Sequence, residues 1–271
     1  METAYPVLEP SPTPRVRDVC ALAIMTKAPR AGAVKTRLVP PLTHSEAAAL
    51  SICFLRDTAS NIAGVASVEA AEGIAVYTPS GAERAFDNLL SEGFSLVVQR
   101  GESFGERLYH AAEDLLALGY ESLCLIDSDS PTLPRSVLVE AVRALARPGD
   151  RVVLGPSDDG GYYLIGLKRA HRRLFEEITW STDRVLDETV ERAAEIGLEV
   201  SMLPSWYDVD DGASLARLCG ELFPEDTVDA ARKGLAGYEA AHTRRFLGQL
   251  MDAEGRRRIW PTEGAPTEAA V

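Results

Sequence analysis

The chain has 271 residues, 46% of them hydrophobic and 25% charged, with a formal net charge of −13. That length fits one large core without excluding two small ones, and the balance is that of an ordinary globular protein. So negative a field repels phosphate backbones and anionic lipid, which excludes nucleic acid and membrane surfaces as expected partners; no apolar run approaches the roughly 20 residues of a bilayer span.

The start, METAYPVLEPSPTPRVRD, lacks a basic segment followed by an apolar one and does not read as a secretory signal. Residues 1–17 and 255–271 read as a flexible arm and a flexible tail around one domain, 18–254, of which 222–254 forms a helical extension. Cys20, Cys53, Cys124 and Cys219 form no C-x-x-C pair, so buried free thiols in a cytoplasmic protein are expected.

Strand-like and helical runs alternate along the domain. Strands are predicted at Val19–Met25, Gly73–Tyr77, Ser95–Gln99, Ser122–Ile126, Arg151–Leu154, Tyr162–Leu167 and Glu199–Leu203. Helices are predicted at about Ser45–Gly64, Ala82–Leu90, Phe104–Leu118, Pro134–Arg147, Asp183–Ile196, Ala213–Leu222 and Val228–Met251, the last either covering the core or forming a contact between two copies of the chain. This alternation predicts an α/β fold: a mostly parallel sheet covered on both faces, in a Rossmann-like three-layer domain. Such sheets bind ligands at the carboxyl ends of their strands.

The polar motifs fall at those ends. After the first strand, Lys27, Arg30, Lys35 and Arg37 place four cations within eleven residues, in a loop broken by Pro29 and Gly32. A basic loop there suits phosphate, although G-x-x-x-x-G-K-[ST] is missing and a solvated turn is an equal reading. After Ser122–Ile126 comes Asp127-Ser128-Asp129, whose carboxylates suit Mg²⁺ or Mn²⁺, or cap a helix. Gly155-Pro156-Ser157-Asp158-Asp159-Gly160-Gly161 reads first as a tight turn between strands; its glycines also allow close approach to a ligand, and Asp158 or Asp159 could orient a hydroxyl or act as a base. Trp206-Tyr207-Asp208-Val209-Asp210-Asp211 offers further carboxylates, Asp211 as a helix cap.

Gly101-Glu102-Ser103-Phe104-Gly105 matches the nucleophile elbow G-x-S-x-G, with Asp158 or Asp210 and then His242 as partners in the right order. His242 lies in a helical pattern, however, and a hydrolase leaves the basic loop and the D-x-D unexplained. His44, His110, His171 and His242 have no metal-ligand spacing.

Six motifs occur in one order: K-A-P-x-x-G-x-V-K-T-R-L from Lys27, Q-x-G-x-x-x-G-E-R-L from Gln99, D-S-P from Asp129, G-P-x-x-D-G-G-Y-Y-L-I-G-L from Gly155, L-F-x-x-I-x-W-S-T from Leu174, and D-V-D from Asp208. Together they resemble the bacterial family DUF2064, also labelled arsenosugar-biosynthesis glycosyltransferases and similar to 2-phospholactate guanylyltransferase. The resemblance implies the nucleotide-diphospho-sugar transferase fold of the A-type glycosyltransferases. It implies that Lys27, Gly32, Lys35, Arg37, Gln99, Gly105, Arg107 and Asp127 surround a nucleotide, with Glu106 beside them. It further implies a metal on Asp129 with Asp208 or Asp210, and an acceptor near Gly160, Gly161, Trp180, Ser181 and Thr182. Asp127 departs from the family, which has Gly there.

The expected protein is therefore a Mg²⁺- or Mn²⁺-dependent transferase taking a nucleotide or sugar-nucleotide donor and a small-molecule acceptor. Glycosyl transfer comes first, with Asp159 and Lys35 as catalytic residues. Nucleotidyl transfer with release of pyrophosphate is the alternative, ahead of a serine hydrolase on Ser103 and a non-catalytic nucleotide-binding protein. Whether the chain forms a homodimer is left open.

Overall fold

The computed structural model describes residues 5–10, 17–224 and 235–260. Seven strands form one sheet: β1 (Arg17–Lys27), β2 (Ala71–Thr78), β3 (Ser95–Val98), β4 (Tyr120–Ile126), β5 (Arg151–Pro156), β6 (Tyr162–Leu167) and β7 (Glu199–Met202), in the spatial order β3-β2-β1-β4-β6-β5-β7. All pairings are parallel except those of β6, which runs antiparallel to both β4 and β5. The reversal follows from loop length. Only residues 157–161 separate β5 from β6, and a parallel return needs a crossover of a dozen residues or more.

The helices are α1 (His44–Ala66), α2 (Phe104–Ala117), α3 (Arg135–Ala146), α4 (Val185–Glu195), α5 (Gly212–Leu222), α6 (Ala241–Glu254) and the single turn α7 (Arg256–Ile259). Alternation along β1 separates the layers. Cys20, Leu22 and Ile24 pack with Leu55, Ala59 and Ile62 of α1 and with α3 residues such as Leu138. Ala21 and Ala23 face the other way, into a core with Leu108 and Ala111 of α2 and Ala193 of α4. A third cluster joins Leu50 and Phe54 of α1 to Leu215 and Leu218 of α5, Leu247 of α6 and Ile259 of α7. The three-layer, mostly parallel fold read from the sequence is the fold observed.

Some local expectations change. Over the predicted helix Ala82–Leu90 the chain makes only a 3₁₀ turn, Glu83–Phe86, and Asn88 at φ 61° is incompatible with continuing it. The predicted helix Val228–Met251 partly lies outside the described residues; within them residues 235–240 are not helical and α6 starts at Ala241. Ala240 cannot cap that helix with a side chain. Asp57, buried on α1, does so from across the interface, accepting from the backbone N–H of His242 and Thr243 at 3.0 and 2.8 Å.

The arm and tail are anchored where they are described. Leu8 N–H donates to Leu96 O and Leu96 N–H to Pro6 O, both at 2.8 Å, so residues 5–10 lie along the free edge of β3. The Tyr5 hydroxyl reaches Leu90 O at 2.6 Å. Covering an edge strand satisfies backbone groups that a sequence pattern does not reveal. In the tail, Ile259 is buried and Arg258 pairs with Glu46.

Candidate active site

Three cavities open at the carboxyl ends of the strands. The smallest, about 240 Å³, is lined by Lys27, Lys35, Arg37, Ser51, Ser128 and Asp129 among others. One of about 410 Å³ lies over β1 and β2, with Lys27, Thr78, Gln99, Phe104, Arg107 and Ser128 on its walls. The largest, about 610 Å³, runs from Arg37 and Asp129 to Asp159, Trp180 and Asp208. Shared lining residues make them neighbouring compartments of one cleft.

Lys35 ties three loops together. Its backbone is left-handed, φ 49°, and its side chain is only 5% exposed. The ammonium donates to Asp129 Oδ1 at 2.7 Å, to Asp210 Oδ1 at 2.8 Å and to Val209 O at 2.7 Å, and lies 5.4 Å from the Phe54 ring centre. Burial by itself would lower the Lys35 pKa; the two carboxylates override it and hold it above the ordinary lysine value. Burial likewise opposes ionisation of Asp210, but Lys35 and Arg37, the latter at 2.5 Å, hold it below the usual carboxylate range. Val209 N–H donates to Asp129 O at 2.9 Å, so backbone joins the same two loops.

The other carboxylates are in the opposite condition. Burial first, and then the charge of Asp129, push the Asp127 pKa well above the ordinary value, although Ser130 Oγ donates to it at 2.9 Å. Burial, Asp159 and Asp210 raise that of Asp208, whose Oδ1 accepts from Ser157 Oγ at 3.1 Å. Asp129, Asp208 and Asp210, read as metal ligands, are thus drawn to different partners: two hold Lys35 and one holds Ser157. Among the described residues no group of three or more His, Cys, Asp or Glu is placed to hold an ion.

The β5–β6 turn is held by backbone. Gly160 stands at φ 89°, and a Cβ there would lie 2.2 Å from Asp183 O. Leu186 N–H donates to Gly160 O at 2.9 Å, and Gly161 N–H to Asp159 Oδ1 at 2.9 Å. Asp158 bonds Arg217 at 2.5 Å and so faces away from the role of base. The tight turn expected from the sequence is present, and Asp159 and Gly161 line the large cavity. Trp180 and Ser181, the latter at φ 64°, line the large cavity with Thr182, and Trp180 meets Phe104 edge to face at 5.1 Å.

Other predicted residues act indirectly. Gln99 Nε2 donates to Val76 O and Thr26 O at 2.8 and 3.2 Å while lining the middle cavity beside Arg107. A Cβ on Gly105 would meet Phe175 O at 2.7 Å, so this glycine permits packing under Trp180, and it does not line the three cavities described above. Gly32, φ 75°, shapes the exposed basic loop. Glu106 is the far half of a capping box, accepting from Ser103 N–H. Ser103 is the other half, its Oγ accepting from Glu106 N–H at 3.2 Å. His242 sits at the start of α6, against α1, so the elbow-like sequence is a helix cap and not a nucleophile site. Phe104, 46% exposed and lining two of the cavities, was missed, as was Asp183; neither belongs to a motif that names it.

The strand order, with basic loop and acidic segments at the carboxyl ends, defines the class: an α/β domain with the fold of the nucleotide-diphospho-sugar transferases. Residues 61–182 match the family model of DUF2064, described as an uncharacterized protein conserved in bacteria, so the family resemblance seen in the motifs holds over that stretch. A protein of known structure from Desulfovibrio desulfuricans G20, provisionally described as a nucleotide-diphospho-sugar transferase, is 28% identical. It superposes with a TM-score of 0.72 over 89% of this chain and 98% of its own. Two more distant likenesses are 4-diphosphocytidyl-2C-methyl-D-erythritol synthase from Anaerococcus prevotii (12% identity, TM-score 0.47, 73% of this chain and 94% of that one) and glucosyl-3-phosphoglycerate synthase from Mycobacterium tuberculosis (12%, 0.45, 91% and 82%). No curated protein matches the chain significantly by sequence. Among the described residues no helix is long and apolar enough to cross a membrane.

Proposed function

We propose that the protein is a transferase using a nucleotide-activated donor, with glycosyl transfer from a sugar nucleotide to a small acceptor as the reaction. The observation that carries this is the basic cavity, lined by Lys27, Lys35 and Arg37 at the end of β1 and opening directly onto the acidic one. Diphosphate oxygens fit the first compartment, where Arg37, 71% exposed on its side chain, could exchange its Asp210 partner for them. Gln99, Arg107 and Phe104 border the compartment suited to the base and ribose, with Gly32 and Gly105 shaping its surroundings. Trp180, Ser181, Thr182, Gly160 and Gly161 border the acceptor side.

On this reading Asp159 is the base. Gly161 N–H fixes Oδ1, and Oδ2 has no bonded partner among the described residues, so it can take the acceptor's proton. Lys35 and Arg37 balance charge on the leaving diphosphate. A divalent ion fits the site by charge: the raised Asp127 and Asp208 mark a concentration of carboxylate that a cation relieves. With no three such side chains among the described residues placed for it, an ion would rest on Asp129 with Asp208 or Asp210, donor oxygens completing its shell, and Mg²⁺ or Mn²⁺ there would supply further neutralisation of the diphosphate. A thermal-shift panel of nucleotides and sugar nucleotides with Mg²⁺, Mn²⁺ or EDTA tests the reading. A metal-dependent rise with a sugar nucleotide is expected. A rise only with a nucleoside triphosphate, followed by pyrophosphate release on turnover, would replace glycosyl by nucleotidyl transfer. No rise with any nucleotide would overturn the proposal.

A further inference from the structure

The two main compartments differ in sign. In the phosphate-sized one, Lys27, Lys35 and Arg37 face Asp129 and Asp210, a slight excess of positive charge. In the large one, six aspartates face a single basic residue, Arg37. Asp129 and Asp210 are taken up by Lys35 and Arg37. Asp127, Asp159, Asp183 and Asp208 have no ion-pair partner among the described residues. A divalent cation would offset Asp127 and Asp208, whose burial already disfavours their charged form, and Asp159 and Asp183 would still leave the compartment acidic.

Beside the carboxylates and the hydroxyls of Ser157, Ser181 and Thr182, that compartment has apolar walls. Leu108, Leu125, Ile165 and Val185 line it, and Phe104 and Trp180 form an aromatic corner at its side. Its volume, about 610 Å³, falls within the roughly 300–1,000 Å³ of small-molecule sites. Low-dielectric walls strengthen the effect of unpaired charges on whatever enters.

We infer that the acceptor is an uncharged or cationic alcohol or amine with an apolar face, and not a phosphorylated or carboxylated molecule. This rests on the transferase reading of the cleft and sharpens it. A phosphate or carboxylate would meet uncompensated carboxylates, whereas an apolar face has Trp180 and the aliphatic walls to lie against. An acidic rim accepts hydrogen bonds from hydroxyl and ammonium donors. The same charge opposes nucleotidyl transfer to a phosphorylated substrate, which would need a cationic surface on this side.

The test uses the full chain and three probes that differ in one group: phenethyl alcohol, phenethylamine and phenethyl phosphate. Binding is followed by saturation-transfer NMR with and without Mn²⁺-free Mg²⁺. The alcohol and amine should bind and the phosphate should be weaker by about tenfold or more. Asp183→Asn, at an exposed position, should narrow that gap, as should added salt. Trp180→Ala should weaken all three. Equal or tighter binding of the phosphate would overturn the inference, as would failure of both the alcohol and the amine to bind. Nucleotide binding is scored separately by thermal shift. Discrimination among probes without nucleotide binding would remove the transferase reading and with it the acceptor assignment, leaving only the charge preference of the pocket; nucleotide binding with preference for the phosphate probe would remove the acceptor assignment alone.

Discussion

The two sides of the cleft are held in place by different forces. On the side of the basic loop, charge does the holding: one buried ammonium bridges Asp129, Asp210 and the carbonyl of Val209, and Arg37 adds a second contact. On the side of the β5–β6 turn, backbone does it: Gly160 lies against Asp183 with no room for a Cβ, and main-chain hydrogen bonds tie the turn to Trp206 and Leu186. Asp159 and Asp183 are therefore positioned without an ion-pair partner among the described residues, while Asp158 on the same turn pairs with Arg217. A fold can hold repelling charges together only if something other than those charges fixes the chain, and here steric fit and the backbone ladder do so. The charges of the first side are paired within the structure, whereas Asp159 and Asp183 have no ion-pair partner among the described residues.

Substitutions can break the two modes of support separately. The largest effect is expected for Gly160→Ala, which combines a positive φ with a backbone clash: a loss of about 3 kcal/mol in urea unfolding. An effect below about 1 kcal/mol would mean that the turn relaxes and is not sterically pinned. Lys35→Met comes next. It strands two carboxylates, but these are about a third exposed on their side chains, 33% and 34%, so the loss should be about 2 kcal/mol, short of the roughly 3–5 of a fully buried pair. The same variant should lose any nucleotide-induced rise in melting temperature. If it melts like the parent, the three-loop knot is not a stabilising element.

Asp208→Asn should have the smallest effect and the opposite sign. Asp208 has its pKa raised in the folded chain, so the native state binds a proton more readily than the unfolded one and stability falls as pH rises through that interval. The amide removes this penalty while its oxygen still accepts from Ser157. In EDTA, a gain of about 0.5 kcal/mol at pH 7 is expected, shrinking as pH falls towards the ordinary aspartate value. Destabilisation at neutral pH would show that Asp208 is stabilised by a partner rather than strained by its neighbours.

The periodicity of the chain by itself determined the strands and most helices, because each buries a face whose spacing is visible in the residues. The helix starts expected at Ser45, Phe104 and Pro134 fall within one residue of those observed, His44, Phe104 and Arg135, since helix ends are set by local chemistry. The motifs located the loops that meet at the cleft. The tertiary structure alone decided what those residues do to one another. That Lys35 occupies Asp129 and Asp210 depends on three loops, each about 80 or more residues from the next, meeting at one point. That Asp57 caps α6, and that Tyr5 to Pro10 cover an edge strand, depends on backbone donors and acceptors whose partners lie far along the chain. The antiparallel placement of β6 follows from its short loop, which the sequence contained; its position between β4 and β5 follows from long-range pairing, which it did not. Residue type and spacing record local conformation and burial, whereas pairing, charge compensation and cavity shape arise only when distant segments are brought together.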